Sequence, residues 1–338
     1  MTPESNISSE QRKWPATAHE ATRFMLGHLP HAEAVTTDPA NVERIARADD
    51  PAVLIEPELM EGNSFSTIRV ADPRRARGES GFAAFLDGTQ EIRVVNQLDG
   101  IPIVWATVSA AVRARVNRRM VSWRTSAPIV AGRYYIPFRY VSDLDPLLRD
   151  DPRVVDTGKA DSTGKFPSRH PAALMEAAVK KVQDDRERCE IGLAEAWCAS
   201  ENAVLFADGS ITASKVVSAS DRVVGVIKSH RRLYADGDAF RVLVRLESGC
   251  RTSIFRVAPR SRHAVASWYV RIRPAIGRDA LFGLLRVEAS LTDDISARAD
   301  EISRWLLAEG APLALPDGRW DKMAYGIRDA EEFLRAIS

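Results

Sequence analysis

The sequence predicts an α/β protein in which a mixed β-sheet is flanked by helices. Two apolar runs, 81–86 and 203–207, are each followed by Asp-Gly and then by a small hydroxyl residue. Apolar runs of this length are typical of buried strands, and Asp-Gly is typical of a strand exit. A long amphipathic helix separates the two runs, and more strands and helices follow. This mixture of strands and helices indicates an α/β architecture.

The first part of the core is expected to be an antiparallel meander. Its first strand begins at Gly81 and ends at Asp87, and the alternating segment 91–97 forms the second strand. The dipeptide Asp99-Gly100 then predicts a tight hairpin turn into a third strand, which starts at Ile101. Three antiparallel strands therefore precede the long helix.

The long helix is predicted over 171–200, because apolar residues recur there at helical spacing and Pro171 suits the first helical position. Further strands are expected at 203–211, 222–228, 240–246, 252–257, 267–273 and 284–289, with helices at 214–220, from Thr292 and over 327–337. This order is that of an RNase H-like core, in which the first and fourth strands lie side by side. Asp87 and Asp208 would then be neighbours.

Residues 1–80 are expected to form an N-terminal extension, and residues 81–338 one RNase H-like domain. Within the extension, 10–29 has the pattern of a helix and 36–50 is polar and expected to be loose. The charged segment 71–80, with a proline and a glycine, is typical of a linker.

Composition excludes several classes of protein. The chain has 338 residues, 45% hydrophobic and 28% charged, which is an ordinary composition for a protein with a core. It lacks an apolar run of the roughly 20 residues that a membrane helix needs, and its N-terminus lacks a signal-peptide pattern, so a cytoplasmic location is expected. The motifs of zinc proteases, serine hydrolases and P-loop ATPases are absent, and the three cysteines have no metal-binding spacing.

The two strand-end aspartates are the strongest candidates for chemistry. Carboxylates on neighbouring strands, here Asp87 and Asp208, form a pocket of hard oxygen ligands suited to Mg²⁺ or Mn²⁺. Phosphodiester cleavage by two metal ions needs further carboxylates around cations about 4 Å apart. On the long helix, Glu190 lies at the edge of the apolar stripe and is expected to reach the metals. The last helix offers three candidates for the fourth ligand, Asp329, Glu331 and Glu332, which the sequence does not rank.

Each of these residues also has a structural interpretation. Asp-Gly is the commonest dipeptide of tight turns, so either aspartate alone could be a turn residue. Glu190 could be one of several solvated helix glutamates, and Asp329 could cap the last helix. The repetition of the strand and Asp-Gly pattern favours the metal site.

Basic residues cluster locally although the net charge is only +1. One cluster contains Arg113, Arg118 and Arg119 among aromatic residues, a combination suited to phosphates and unpaired bases. A second cluster, with Lys228 and Arg231, follows the strand 222–228, and Lys228 is expected to contact the scissile phosphate or the phosphate next to it. A solvated, salt-bridged surface is the alternative interpretation of both clusters.

Two further arginines, Arg271 and Arg286, lie inside apolar strands. Pairing with Glu288 and contact with DNA are both open for them. We therefore include Arg271 among the candidate nucleic-acid-binding residues.

Five segments together resemble the NurA nuclease family, a branch of the RNase H-like and PIWI-like nucleases. They are 85–89 (FLDGT), 186–190 (RERCE), 205–211 (LFADGSI), 224–229 (VGVIKS), and 267–271 with 285–288. The resemblance covers roughly residues 81–337. It implies a Mn²⁺-dependent DNA nuclease of end resection that works as a homodimer docked on a HerA-type hexameric ATPase.

The resemblance also implies roles for single residues. Asp87 and Asp208 match the two aspartates of the family by position, and Glu190 matches its helix glutamate. The family has a histidine where this chain has Glu331, and a glutamate can bind a metal ion but does not replace a histidine in proton transfer. The expected catalytic set is Asp87, Glu190, Asp208 and Glu331, with Asp329 as the alternative metal ligand.

The leading hypothesis is therefore a metal-dependent DNA nuclease of DNA end processing or repair. A catalytically inactive DNA-binding scaffold with the same fold is the second hypothesis, motivated by the altered C-terminal position. An RNA-guided nuclease of the Argonaute type is disfavoured, because the first 80 residues are too few for its guide-binding regions. In the remaining alternative, an unrelated α/β protein, both Asp-Gly sites are only turns.

Overall fold

The structure, a computed structural model, describes residues 14–29, 31–34, 52–71, 79–124, 128–142, 144–161, 163–276, 278, 280–310, 322 and 324–337. The strands are β1 (Glu33–Ala34), β2 (Val53–Leu54), β3 (Glu58–Leu59), β4 (Thr67–Arg69), β5 (Phe82–Leu98), β6 (Ile101–Val116), β7 (Arg119–Ser122), β8 (Ile129–Ile136), β9 (Val154–Asp156), β10 (Val204–Asp208), β11 (Val223–Ile227), β12 (Arg232–Leu233), β13 (Cys250–Thr252), β14 (Phe255–Val257), β15 (Val265–Arg271) and β16 (Leu284–Ala289). The helices are α1 (Ala18–His28), α2 (Pro146–Arg149), α3 (Pro171–Ser200), α4 (Lys215–Ser218), α5 (Asp238–Val244), α6 (Ile295–Glu309) and α7 (Tyr325–Ile337), with a 3₁₀ turn at Phe138–Tyr140.

The chain forms two compact units. The first comprises 1–48, 90–107 and 131–184, and the second comprises 49–89, 108–130 and 185–338. In the first unit, α1 packs its buried Ala21 and Met25 into a core with Ile103, Trp105 and Tyr134. All the candidate site residues belong to the second unit.

The sheet of the second unit positions the two candidate aspartates. Its strands follow the order β3-β14-β15-β16-β11-β10-β5-β6. β10 lies between β5 and β11 and is parallel to both, whereas β16 is antiparallel to β11. The predicted α/β class, with a mixed sheet flanked by helices, is therefore confirmed, and so is the adjacency of the two strands that carry Asp87 and Asp208.

Separate apolar layers cover the two faces of this sheet. On one face, Leu193 and Trp197 of α3 pack with Leu86 and Leu205. On the other face, α6 and α7 pack with Phe85 and Phe206. Because side chains alternate along a strand, neighbouring residues of β5 and of β10 meet different helices.

The predicted meander is wrong at one point, because β5 continues without a break from Phe82 to Leu98. Asp87-Gly88 is therefore not a turn. Buried apolar side chains occur on both sides of the dipeptide, at Leu86 and Ile92, so burial favours a continuous strand. The hairpin at Asp99-Gly100 is confirmed, and both residues have positive φ, of 48° and 78°.

Most other core elements agree with the sequence. The long helix begins at Pro171 and ends at Ser200 as predicted. The prediction of a strand at 240–246 is wrong, because most of this segment lies in α5. Its buried residues, Ala239 and Leu243, are four apart, which is a helical spacing.

The N-terminal segment is described in part. α1 begins at Ala18, and Thr17 caps it by accepting a hydrogen bond from the N–H of Glu20. The predictions for 36–50 and for most of 71–80 lie outside the described residues. β2, β3 and β4 pair with β12, β14 and β13 in the second unit, and the division of the chain at residue 80 stays a prediction. Among the described helices, none is long and apolar enough to cross a membrane.

Candidate metal centre

Two aspartates meet where β5 and β10 run side by side. The parallel pairing ends with Leu86 opposite Ala207, so Asp87 and Asp208 are the next residues on the two strands. Asp87 is 6% exposed, and its Oδ1 accepts a hydrogen bond of 2.8 Å from the N–H of Gly88. β10 ends at Asp208, and Gly209 follows with a φ of 138°, which a residue with a side chain rarely adopts.

Glu331 completes an acidic triad with these two aspartates. Ligand oxygens of Asp87, Asp208 and Glu331 all lie within 4.8 Å of one another. The two aspartates lie two residues beyond Phe85 and Phe206 and so point to the same face as these rings. α7 packs on that face and carries Glu331 to the triad.

Helical spacing explains why Glu331 is the residue that α7 contributes. The buried residues of this helix are Gly326, Ile327, Ala330 and Leu334. At 100° per residue, Glu331 lies about 85° from the centre of this stripe, Asp329 about 115° and Glu332 about 175°. The helical spacing of the apolar residues is therefore a sequence signal that ranks the three candidates and favours Glu331.

Asp329 is not part of the triad, because it forms an ion pair with Arg113. The Nε of Arg113 lies 2.6 Å from Oδ1 of Asp329. The same guanidinium donates to Ser122 Oγ and to the carbonyl of Met120, and it lies 4.5 Å from the ring centroid of Phe333. Arg113 thus anchors α7 to β6 and β7. Asp329 lies in this ion pair and not in the triad, and the contact of Arg113 with DNA stays a prediction.

Glu190 lies on the face of the sheet that α3 covers. A Cβ on Gly88 would come within 2.3 Å of its Oε1, so the glycine makes room for this carboxylate. Arg186 donates to the same oxygen at 2.8 Å. Since Gly88 and Asp87 are neighbours on one strand, a Cβ at position 88 and the side chain of Asp87 point to opposite faces. The structure does not bring Glu190 into the triad.

Burial and charge perturb the acidic groups at this site. Burial raises the pKa of Glu190 to about 7; Arg186 opposes this, whereas Asp208 and Glu187 add to it. Burial also raises the pKa of Asp87 well above its usual range, and the nearby carboxylates Asp208, Glu190 and Glu331 raise it further against the effect of Lys228. Clustered carboxylates that hold protons more tightly release them when a divalent cation binds, so the site is chemically suited to a cation.

Lys228 is at the position that the sequence predicts, directly after β11 and beside the triad. Its Nζ lies 2.7 Å from Oδ2 of Asp208. The pair is about one-fifth exposed on both sides. Lys228 is thus held at the rim of the sheet, next to the carboxylates.

The other predicted nucleic-acid contacts divide by exposure. Arg118, in the turn between β6 and β7, and Arg119, at the start of β7, are exposed, and so is Arg231 beyond β11. Arg271 is 1% exposed and donates to the carbonyls of Phe282, Leu243 and Ala280. The prediction that Arg271 contacts DNA is therefore wrong, because backbone groups inside the protein surround its guanidinium.

Of the two arginines inside apolar strands, Arg271 and Arg286, it is Arg286 that pairs with Glu288. Its Nη1 lies 3.0 Å from Oε1 of Glu288, and both side chains are on the same face of β16. The second oxygen of Glu288 accepts hydrogen bonds from the loop after Asp208, a contact that the sequence pattern does not predict.

No protein-family model and no curated protein matches this chain.

Proposed function

We propose that this protein is a metal-dependent DNA nuclease that hydrolyses phosphodiester bonds at the triad of Asp87, Asp208 and Glu331. The observation that carries the proposal is the convergence of three carboxylates, from two strands and a helix far apart in sequence, to within 4.8 Å. Like charges this close repel each other, and a divalent cation removes that cost. Carboxylate oxygens are also the ligands that Mg²⁺ and Mn²⁺ prefer.

A divalent cation bound at the triad would supply an activated water and neutralise charge on the phosphate. The residues of the chain supply the remaining functions. Asp87 and Asp208, on adjacent parallel strands, give the site a rigid floor. Lys228, next to Asp208, is placed to donate a charge-assisted hydrogen bond to a phosphate oxygen.

The charges around the triad favour one cation, whereas the sequence hypothesis expects two. A second cation would need further carboxylate oxygens beside the triad. Glu190 is engaged by Arg186 at 2.8 Å, and Asp208 is engaged by Lys228 at 2.7 Å. Both carboxylates thus already have a cationic partner.

The resemblance to NurA nucleases extends this proposal to a biological setting. It supports an RNase H-like core, DNA as substrate, Mn²⁺ or Mg²⁺ as cofactor, and a role in DNA end processing or repair. The location that we propose for this activity is the cytoplasm. It also supports a homodimer that works with a HerA-type hexameric ATPase. Exposed arginines at Arg118, Arg119 and Arg231 suit a DNA backbone.

A DNA-binding scaffold without catalytic activity is the second candidate. Two observations favour it. Glu331 stands where the family has a histidine, and Lys228 already neutralises Asp208. In this case the basic surface would bind DNA and the triad would not cleave it.

The test is cleavage of labelled single- and double-stranded DNA with Mn²⁺, Mg²⁺ or EDTA. Wild type is compared with Asp87→Asn and Asp208→Asn, and the matched control is Glu332→Gln, an exposed carboxylate of α7 paired with Arg328. We expect cleavage that needs the metal, is lost in both aspartate variants and is kept in the control. DNA binding without cleavage, also with a HerA-type ATPase added, would favour the scaffold.

A further inference from the structure

The loop that leaves Asp208 folds across the neighbouring strand β11. Gly209 donates its N–H to the carbonyl of Val226 at 3.0 Å. The loop passes very close to Gly225, where a Cβ would lie 2.7 Å from the carbonyl oxygen of Gly209. A side chain at position 225 would therefore push the loop off the sheet. The glycine allows residues 210–212 to reach the next strand, β16.

Glu288 on β16 holds this loop. Glu288 lies opposite Gly225 in the antiparallel pairing of β11 with β16, and its side chain is buried. Oε2 of Glu288 accepts two hydrogen bonds, from Ser210 Oγ at 2.8 Å and from the N–H of Ile211 at 3.0 Å. Oε1 faces Arg286 at 3.0 Å. One carboxylate thus connects the interior of β16 to the loop that follows Asp208.

We propose that Glu288 is a positioning residue of the candidate metal site, and that it fixes the loop that sets the place of the Asp208 carboxylate. This inference rests on the proposed function. Glu288 is outside the triad and acts through Ser210 and Ile211. Groups that orient metal ligands in this way typically change metal affinity by 10–100-fold when they are removed.

The chemistry of the position supports this role. The neighbours of Glu288 along β16, Val287 and Ala289, are small apolar residues in a strand that is buried throughout. A carboxylate in such a place carries a desolvation cost that an apolar side chain would avoid. The hydrogen bonds from the loop and the contact with Arg286 offset that cost. The loop and Arg286 together therefore stabilise the buried carboxylate of Glu288.

The experiment is a Mn²⁺ titration of the full-length chain followed by electron paramagnetic resonance. Glu288→Ala removes the acceptor. Ser210→Ala, at an exposed residue, removes the hydroxyl that donates to Glu288 and that also bonds to Thr212, and it leaves the contact between Glu288 and Arg286 in place. The matched control is Glu309→Gln, a buried glutamate that accepts two hydrogen bonds from Arg115, at 2.8 and 2.9 Å. Thermal unfolding identifies variants that do not fold.

We expect Mn²⁺ affinity to fall about 10–100-fold in Glu288→Ala, to fall less in Ser210→Ala, and to stay unchanged in the control. In the double variant the loss of affinity should be smaller than the combined losses of the two single variants, because both changes remove the hydrogen bond between Ser210 and Glu288. Wild-type affinity in both single variants overturns the proposal. If Glu288→Ala does not fold, the result for Ser210→Ala decides.

Hydrogen exchange of the backbone amides of 209–212, measured in EDTA, is a readout that does not need metal binding. We expect faster exchange in Glu288→Ala and in Ser210→Ala than in wild type. Unchanged exchange means that Glu288 does not hold the loop and also overturns the proposal. If wild type binds no Mn²⁺, the proposed function fails, and exchange still decides whether Glu288 positions the loop.

Discussion

The ammonium group of Lys228 lies 2.7 Å from Oδ2 of Asp208, at the exits of two parallel neighbouring strands. A cationic side chain therefore occupies one side of the triad. We expect one tightly bound Mn²⁺ per chain, because a second cation would have to displace this ammonium or the guanidinium of Arg186. The measurement is the number of Mn²⁺ ions bound at saturation.

A variant series tests this count. Lys228→Gln should admit a second Mn²⁺ ion, whereas Lys215→Gln, which changes an exposed lysine of α4, should not. Two tightly bound ions in wild type would contradict the role that we give Lys228.

Asp329 and Glu331 are the two residues of α7 that were expected as metal ligands. Asp329 forms an ion pair with Arg113, whereas Glu331 lies in the triad. Asp329→Asn should lower the free energy of unfolding by about 1–2 kcal/mol, because it weakens a partly buried, charge-assisted contact that anchors α7. It should leave Mn²⁺ affinity nearly unchanged. Glu331→Gln should reduce Mn²⁺ affinity at least tenfold and leave the ion pair intact. The opposite pattern would restore Asp329 as a ligand.

Glu190 should make the stability of the metal-free protein depend on pH. Its pKa is raised from 4.5 to about 7, so the folded state holds the proton more tightly than the unfolded state. The protonated carboxyl of Glu190 therefore stabilises the folded state. This contribution to the free energy of unfolding, about 3 kcal/mol in total, is complete below about pH 4.5 and is lost as the pH rises through about 7. Denaturation in EDTA between pH 4 and 8 measures it. Glu190→Gln should remove this part of the pH dependence, and equal curves for the two proteins would contradict the shift.

Gly88 should be required only because Glu190 lies against it. Gly88→Ala places a methyl group 2.3 Å from Oε1 of Glu190 and should cost about 1–2 kcal/mol of stability. In a Glu190→Ala background the same change should cost much less, because the clashing atoms are absent. Urea denaturation of the four proteins gives the coupling energy. Additive effects would show that the two residues do not interact.

Exposed and buried arginines should respond differently in DNA binding. Combined Arg118→Ser and Arg119→Ser should weaken binding and lower the salt slope by about 2, as expected for two lost phosphate contacts. Arg241→Ser, at an exposed arginine of α5, is the control. Arg271→Met should instead lower stability, because the carbonyls that its guanidinium satisfies lose their donor. A salt slope changed by Arg271→Met and not by the double variant would reverse this assignment.

The regular parts of the core were predictable from the sequence because they depend on local pattern. The spacing of apolar residues predicted α3. The strands β10, β11, β15 and β16 are buried along most of their length, so each appears in the sequence as an uninterrupted apolar run. The segment 240–246 was mistaken for a strand, since a short apolar run fits a strand and a helix equally well.

The Asp-Gly pairs show the limit of local pattern most clearly. At 208–209 the dipeptide ends a strand, as expected, and at 87–88 the same two residues lie inside one. The difference comes from the surroundings: apolar residues follow Gly88 and continue the burial of β5, whereas the loop after Gly209 turns across β11. Asp87 and Asp208 lie next to each other all the same, because β5 and β10 are neighbours and their pairing ends just before the two aspartates.

The sequence was enough to select Asp87, Asp208 and Lys228 as candidates, since each follows or interrupts an apolar run whose pattern indicates a buried strand. Which helix completes the site depended on the face of the sheet toward which the aspartates point. That face is set by how β5 and β10 pack, with Phe85 and Phe206 against α7 and Leu86 and Leu205 against α3. Packing over long sequence distances thus brings Glu331 into the triad, leaves Glu190 with Arg186, and places Glu288 beneath the loop of Asp208.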